Sequence, residues 1–326
     1  ALEQAEVLMQ QFPNSSFLYN ISGAAYKELG QLDASVEAYN KAIAIAPHDA
    51  DAYYNMGVTL QDQGKLEDAI EAYNKALAIK PDTADGYNNM GNALKEQGKL
   101  EEAMEAYSKA LAIKPDYAEA YYNMGATLEN QDKLEEAIES YNKALAIKLD
   151  YADAHYNMGN ALQEQGKLEE AIEAYNKALA IKPDNAEAYN NMGNALQEQG
   201  KLEEAMEAYS KALAIQPDNA EAYNNMGNAL QEQGKLEEAM EAYSKALAIQ
   251  PDNAEAYYNM GNALKEQGKL EEAIEAYSKA LAIKPDYAGA YSNMGNALAG
   301  VAFKQPNPGL QKIITSLLNK KSYVRP

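Results

Sequence analysis

Apolar residues return with a helical period along most of this chain. In Ala186–Gln199, Tyr189, Met192 and Leu196 stand at i, i+3 and i+7. In Leu202–Ile215 the stripe is Leu202, Ala205, Met206, Tyr209, Ala212 and Leu213. Both spacings gather side chains on one face of an α-helix. Gly200 follows the first stretch, where a left-handed C-cap is expected. Pro217 stops the second, and Asp218, three residues before Glu221, predicts a capping box for the next helix. Each such stretch reads as helix, turn, helix.

The pattern repeats without insertion. Met-Gly recurs at Met56, Met90, Met124, Met158, Met192, Met226, Met260 and Met294, always 34 residues apart. With this Met as position 7, the full units are 16–49, 50–83, 84–117, 118–151, 152–185, 186–219, 220–253 and 254–287. Units 186–219 and 220–253 are identical throughout, which points to recent duplication or to design.

Within unit 186–219 the recurring residues are Tyr189, Met192-Gly193, Leu196, Ala205, Tyr209, Ala212 and Pro217. This set resembles the tetratricopeptide repeat (TPR) family, whose 34-residue unit carries an aromatic, Leu-Gly, Tyr, and later Ala, an aromatic and Pro. Here Met replaces Leu, Leu replaces Tyr, and Tyr replaces Trp and Phe. The likeness covers residues 1 to 303, with local departures at Ser22, Ser35, Asp132 (for Gly), Leu149 (for Pro) and His155 (for an aromatic). It implies an all-α, right-handed superhelical solenoid of helix-turn-helix repeats whose first helices line a concave groove, with eight repeats making about one turn. Residues 1–15 match a second helix only, 16–287 hold the eight full repeats, and 288–303 begin a ninth with its first helix. Residues 304–326 are a basic tail in which Leu310, Ile313, Ile314, Leu317 and Leu318 form a helical stripe. That stripe reads as a capping helix or as the start of a linker to a missing domain. Both ends look cut, so a fragment is expected.

Composition narrows the function. Tyr occurs 25 times, Phe 3 times, and Trp and Cys never. Disulfides and thiolate chemistry are therefore excluded, and His48 and His155 are too far apart in sequence to suggest a metal cluster. The net charge is −21, and residues 1–298 alone carry −26, because Lys304, Lys312, Lys320, Lys321 and Arg325 of the tail face no acid there. Such a balance argues against nucleic acid, which needs cations to displace phosphate counterions. No apolar run is long enough to insert in a membrane. Without Cys or a visible signal segment, a cytoplasmic chain is expected. Nor is there a Gly-rich phosphate loop or a unique cluster of acid, base and nucleophile. No catalytic residue, metal or cofactor is expected.

Binding residues are suggested by the first helices. Positions 2, 6, 9 and 13 point away from the packed face. Position 6 is Asn55, Asn89, Asn123, Asn157, Asn191, Asn225, Asn259 and Asn293, and position 9 adds Asn92, Asn160, Asn194, Asn228, Asn262 and Asn296. Position 5 alternates between Tyr (Tyr54, Tyr122, Tyr156, Tyr258) and Asn (Asn88, Asn190, Asn224). Asn costs up to about 0.7 kcal/mol against Ala inside a helix, yet its amide can pair with a peptide backbone. A similar Asn ladder lines the TPR groove of O-linked N-acetylglucosamine transferases. That resemblance implies a scaffold holding an extended peptide on these Asn and Tyr residues. The competing readings are hydrogen bonding between helices, or filler copied with the repeat. A further alternative is the substrate-recruiting arm of a larger, transferase-like enzyme. Acids at position 13 (Asp62, Glu96, Glu164, Glu198, Glu232, Glu266) oppose the helix dipole and favour a neutral to basic ligand. Tyr at positions 4 and 24 is expected in the core. A monomer is expected in solution, with end-to-end stacking only at crystal concentrations.

Overall fold

Turns of three or four residues leave consecutive helices no choice but to pack antiparallel against one another. The computed structural model describes residues 11–300 and residue 315. The expected half-repeat at the N-terminus falls largely, and the stripe of Leu310, Ile313, Ile314, Leu317 and Leu318 wholly, outside the described residues. The described chain divides into two units, Ala1–Gln165 and Gly166–Pro326. The first contains α1 (Ser16–Glu28), α2 (Leu32–Ile45), α3 (Ala50–Asp62), α4 (Leu66–Ile79), α5 (Ala84–Glu96), α6 (Leu100–Ile113), α7 (Ala118–Glu129), α8 (Leu134–Ile147) and α9 (Ala152–Glu164). The second contains α10 (Leu168–Ile181), α11 (Ala186–Glu198), α12 (Leu202–Ile215), α13 (Ala220–Glu232), α14 (Leu236–Ile249), α15 (Ala254–Glu266), α16 (Leu270–Ile283) and α17 (Ala288–Gly300). The described residues form helices and turns, with no strand among them. Within each unit every helix packs on the next, and each first helix also touches the first helix of the following repeat, as α3 does α5 and α13 does α15. The fold is an all-α tandem of helix pairs.

Local chemistry sets the ends. In the second unit Asn185, Asn219 and Asn253 cap α11, α13 and α15, each side chain accepting a hydrogen bond from the N–H three residues on. The cap is thus Asn219, one residue later than the capping box expected at Asp218. Tyr117 and Tyr151 occupy the same position before α7 and α9 and give no side-chain cap, a loss of about 1 kcal/mol. At Tyr151 the ring instead packs on Tyr122, centroids 4.9 Å apart. After the first helices the turn glycine is left-handed, at φ +75° for Gly200. The Lys201 N–H then reaches back to the Leu196 carbonyl at 2.9 Å, closing the helix end. Asp132 takes this role in its repeat at φ 59°.

The core is built on one seat. Tyr39, Tyr73, Tyr107, Tyr141, Tyr175, Tyr209, Tyr243 and Tyr277, all at position 24, are fully buried. A Cβ placed on Gly193 would stand 2.5 Å from the Tyr209 ring, and the same holds at Gly91, Gly227 and Gly261 for their own tyrosines. Buried Ala residues at positions 3, 10, 20 and 27, such as Ala188, Ala195, Ala205 and Ala212, let the helices close around that ring. Position 4 differs from expectation. Tyr53, Tyr87, Tyr189 and Tyr223 are only half-buried, and a second-helix lysine lies over each ring, as Lys211 lies 5.8 Å from the centre of Tyr189. These rings edge the core and do not fill it.

Two changes test the seat and the turn. Gly193→Ala forces the Tyr209 ring to move and is expected to cost about 1–3 kcal/mol. Asp132→Gly relieves a left-handed side chain and should gain about 0.5–1 kcal/mol. Amide hydrogen exchange reads both locally, as faster exchange in 186–219 and slower exchange in 118–151.

Candidate ligand-binding face

Position 6 faces along the row of first helices, and its amide is already in use there. In the first unit Asn55 Nδ2 donates to Asn20 Oδ1 at 3.3 Å, and Asn89 donates to the Tyr54 hydroxyl at 2.8 Å. Asn123 donates to Asn88 Oδ1 and Asn157 to the Tyr122 hydroxyl, both at 3.1 Å. In the second unit Asn225 donates to Asn190, Asn259 to Asn224 and Asn293 to the Tyr258 hydroxyl, at 3.1 to 3.3 Å. Each bond joins position 6 of one repeat to position 5 of the repeat before it. Asn191, Asn160 and Tyr156 are engaged as well. The alternation at position 5 therefore has a local logic: a tyrosine hydroxyl and an asparagine carbonyl both accept the same N–H.

Position 5 is correspondingly deep. Asn88, Asn190 and Asn224 are buried, and Asn88 and Asn190 pass a hydrogen of their own to the position-2 acids Glu119 and Glu221 of the next repeat. Tyr54, Tyr122 and Tyr258 are half-buried, their rings about 6 Å from the core rings of Tyr73, Tyr141 and Tyr277. Burial pushes the hydroxyls of Tyr54 and Tyr122 to higher pKa, and the bonds from Asn89 and Asn157 partly offset this.

Position 9 serves the core. Oδ1 of Asn92, Asn194, Asn228 and Asn262 accepts the hydroxyl of the buried Tyr107, Tyr209, Tyr243 and Tyr277, each at 2.8 Å. A further role was not apparent from sequence. Position-12 glutamines approach the same hydroxyls, Gln61 that of Tyr73 and Gln197 that of Tyr209. Their Nε2 then donates to the position-13 acid of the next repeat, Gln61 to Glu96, Gln197 to Glu232 and Gln231 to Glu266. Lys27 replaces the amide with an ion pair to Asp62 at 3.2 Å. These acids, unfavourable for their own helix dipole, are held by the neighbouring repeat. The signal available in the sequence was Gln or Lys recurring beside each acid at the repeat period.

One link is electrostatically odd. Glu129 stands at position 12, where the flanking repeats have Lys95 and Gln163, accepts the Tyr141 hydroxyl, and looks toward Glu164. Burial, with the Glu164 charge adding, raises the Glu129 pKa, and the Tyr141 bond opposes the rise.

The position-2, -5 and -6 side chains thus form a polar seam between successive first helices. Among the described residues no group of three or more His, Cys, Asp or Glu is placed to hold a metal. An open depression of about 470 Å³ lies elsewhere, on the second-helix side between Ile70, Glu71 and Lys75 of α4 and the Gln97–Lys99 turn. No helix of the described residues is long and apolar enough to cross a membrane.

The chain belongs to the tetratricopeptide repeat family. Residues 5–222 match the family model of the Cilia and flagella-associated protein 70 C-terminal domain, 208–241 that of the tetratricopeptide repeat, and 227–268 and 261–300 that of the TPR repeat. No curated protein sequence matches. The crystal structure of YrrB, a TPR protein described as having an unusual peptide-binding site, aligns with a TM-score of 0.52 at 29% identity, over 57% of this chain and 96% of that one. The Cut9–Hcn1 hetero-tetramer of the APC/C aligns at 0.58 and 18% identity, over 91% of this chain and 59% of the other. PilF of Pseudomonas aeruginosa aligns at 0.57 and 22%, over 65% and 97%. The last two share the all-α repeat fold. Family and neighbours make this chain a protein-interaction scaffold.

The raised carboxyl of Glu129 has a testable sign. A folded-state pKa above the unfolded one contributes stability that is complete below the ordinary carboxylate range and lost as pH rises through the raised value. Glu129→Gln restores the amide of the sister repeats. It is expected to raise the Tm at about pH 7 and to change it little at about pH 4. Melts at both values check this, and an unchanged Tm at the higher pH would refute it.

Proposed function

We propose that this TPR chain holds an extended peptide segment along its first-helix face, and that the position-6 asparagines contact the peptide backbone. The observation that carries the reading is the half-spent amide. Asn157, Asn225 and Asn259 each give one Nδ2 hydrogen to the neighbouring repeat, and all three side chains are only partly buried. On Asn225 and Asn259 a second N–H and a carbonyl oxygen remain, the pair that a peptide C=O and N–H requires, while Asn157 also bonds the Tyr141 hydroxyl. The bond to the neighbour also fixes the amide's orientation before a ligand arrives, which lowers the entropy cost of binding. Successive rungs stand about 8–10 Å apart, so an extended ligand at about 3.3 Å per residue meets one every two or three residues. The printed description of YrrB as a peptide binder is consistent with this use of the fold. The position-2 acids, exposed beside the amides, favour a neutral to basic ligand over an acidic one.

Because the same asparagines join repeats, their loss has two effects. The variant Asn157→Ala, Asn225→Ala, Asn259→Ala is expected to lose about 0.5–1.5 kcal/mol of stability per site. It is also expected to bind peptides selected from a displayed random library at least about tenfold more weakly, a loss of about 1.4 kcal/mol. Titrations below the variant's melting transition separate the two. Equal binding by both proteins, or photo-crosslinks confined to the second helices, would overturn the reading.

A second expectation concerns acidic C-terminal peptides. A terminal carboxylate needs cations on the first helices, and positions 5 and 9 of the full units hold Tyr, Asn, Val or Ala and no Lys or Arg. Calorimetry with acidic peptides ending in a free carboxylate is expected to show no saturable binding.

A further inference from the structure

Charge is divided between the two faces of the repeat. On the second helices Glu and Lys pair four residues apart, as Glu71 with Lys75, Glu105 with Lys109 and Glu207 with Lys211, at 2.7 Å. The first helices α3, α7 and α9 of the first unit carry acids and no Lys or Arg, and α1 and α5 carry one Lys each, Lys27 and Lys95, in or beside the last turn and away from position 2. Among the described residues, the position-2 acids Asp85, Glu119 and Asp153 make no ion pair and are exposed to solvent, although Asp85 accepts the Tyr117 hydroxyl and Glu119 the Asn88 amide. A row of like charge on one face concentrates ligands of opposite sign.

Aromatic rings stand against these acids. Gly289 shows the contact directly: a Cβ there would lie 3.3 Å from the Tyr258 hydroxyl oxygen, so position 2 abuts position 5 of the preceding repeat. In the first unit the corresponding neighbours are Tyr54 with Asp85 and Tyr122 with Asp153. The field of these carboxylates reaches the rings, since Asp85 adds to the raised pKa of Tyr54 and Asp153 to that of Tyr122. The rings before α7 and α9 already accept ammonium groups from the chain itself, with Lys114 4.4 Å from the centre of Tyr117 and Lys148 4.5 Å from that of Tyr151. A carboxylate beside a half-buried tyrosine offers a cation both a counter-charge and a polarisable ring. The second unit supplies the contrast. Its interfaces place Asn190 and Asn224 where the first unit has Tyr54 and Tyr122, and Tyr258, packed on Tyr277 and Tyr287, faces Gly289 and no acid at that position.

We propose that the first unit takes the cationic side chains of the bound segment, Lys or Arg, at two clefts, Tyr54–Asp85 and Tyr122–Asp153, with Glu119 between them. The inference rests on the peptide-binding reading above and adds the ligand's chemistry and register. The clefts are two repeats apart, about 16–20 Å, so an extended ligand presents its cations about five or six residues apart. The asparagine interfaces of the second unit hold backbone without choosing side chains.

The test uses the full chain and three fluorescent Gly-Ser peptides of about 20 residues with Lys, norleucine or Glu at every third position. Anisotropy is expected to show the Lys peptide binding at least about tenfold more tightly than the norleucine peptide, with the Glu peptide weakest. The variant Asp85→Asn, Glu119→Gln, Asp153→Asn should lose about tenfold toward the Lys peptide. Its charge-matched control on the second helices, Asp68→Asn, Glu102→Gln, Glu136→Gln, should stay within about twofold. Equal losses from the two triple variants would mean diffuse charge and would overturn the proposal. If Lys and norleucine peptides bind alike and both weaken in the asparagine variant, peptide binding stands and the cation clefts fall. If no peptide binds the first-helix face, both readings fall.

Discussion

A tyrosine ring pressed onto a glycine closes each helix pair that lies within one unit, and the remaining architecture follows from how that ring is held. The ring of Tyr209 leaves no room for a Cβ on Gly193. Its hydroxyl, carried into the interior with it, must find a partner or cost about 1–3 kcal/mol. Asn194 and Gln197 supply that partner from the first helix. Gln197 then has an amide to give away, and gives it to Glu232 of the next repeat. Packing within one repeat thereby becomes a polar link between repeats. The same sequence of contacts runs from Tyr243 through Gln231 to Glu266.

A second set of links runs beside the first. The position-6 asparagines reach back to position 5 of the preceding repeat, so α3 with α5, α11 with α13 and α13 with α15 are each joined both by this seam and by the position-12 relay. Neither seam is apolar. Hydrophobic contact sets the closeness of the helices, while the side-chain amides set their register, because an amide is satisfied only at particular offsets.

The helices, their turns and the repeat period were legible in the sequence because each is fixed by local chemistry. Gly200 marks its turn by itself, and Asp132 betrays a left-handed position simply by standing where glycine is the rule. The start of α13 was misplaced by one residue because Asp218 and Asn219 are both able to cap, and only backbone geometry chooses between them. Tyr189 and Tyr209 share a residue type and a period, yet one edges the core beneath Lys211 and the other fills it. The difference lies in Gly193, which the periodic pattern records but does not assign to either ring. Positions 5 and 6 were both recognised as candidate residues of one face, with hydrogen bonding between helices as one reading, while the pairing of position 6 with position 5 of the preceding repeat was not, since periodicity identifies a face and is silent about what that face touches. The role of Gln61 and Gln197 went unread for the same reason.

The identity of residues 186–219 and 220–253 has a consequence for heredity. Every bond that Asn225 makes to Asn190 has its counterpart in the bond that Asn259 makes to Asn224. A chain that lost one of the two copies would set Asn259 against Asn190 and find an acceptor of the same kind in the same place. Unequal recombination between the copies would therefore alter the number of rungs without creating a foreign junction. In a protein assembled this way, length is a quantity that evolution can adjust separately from the fold.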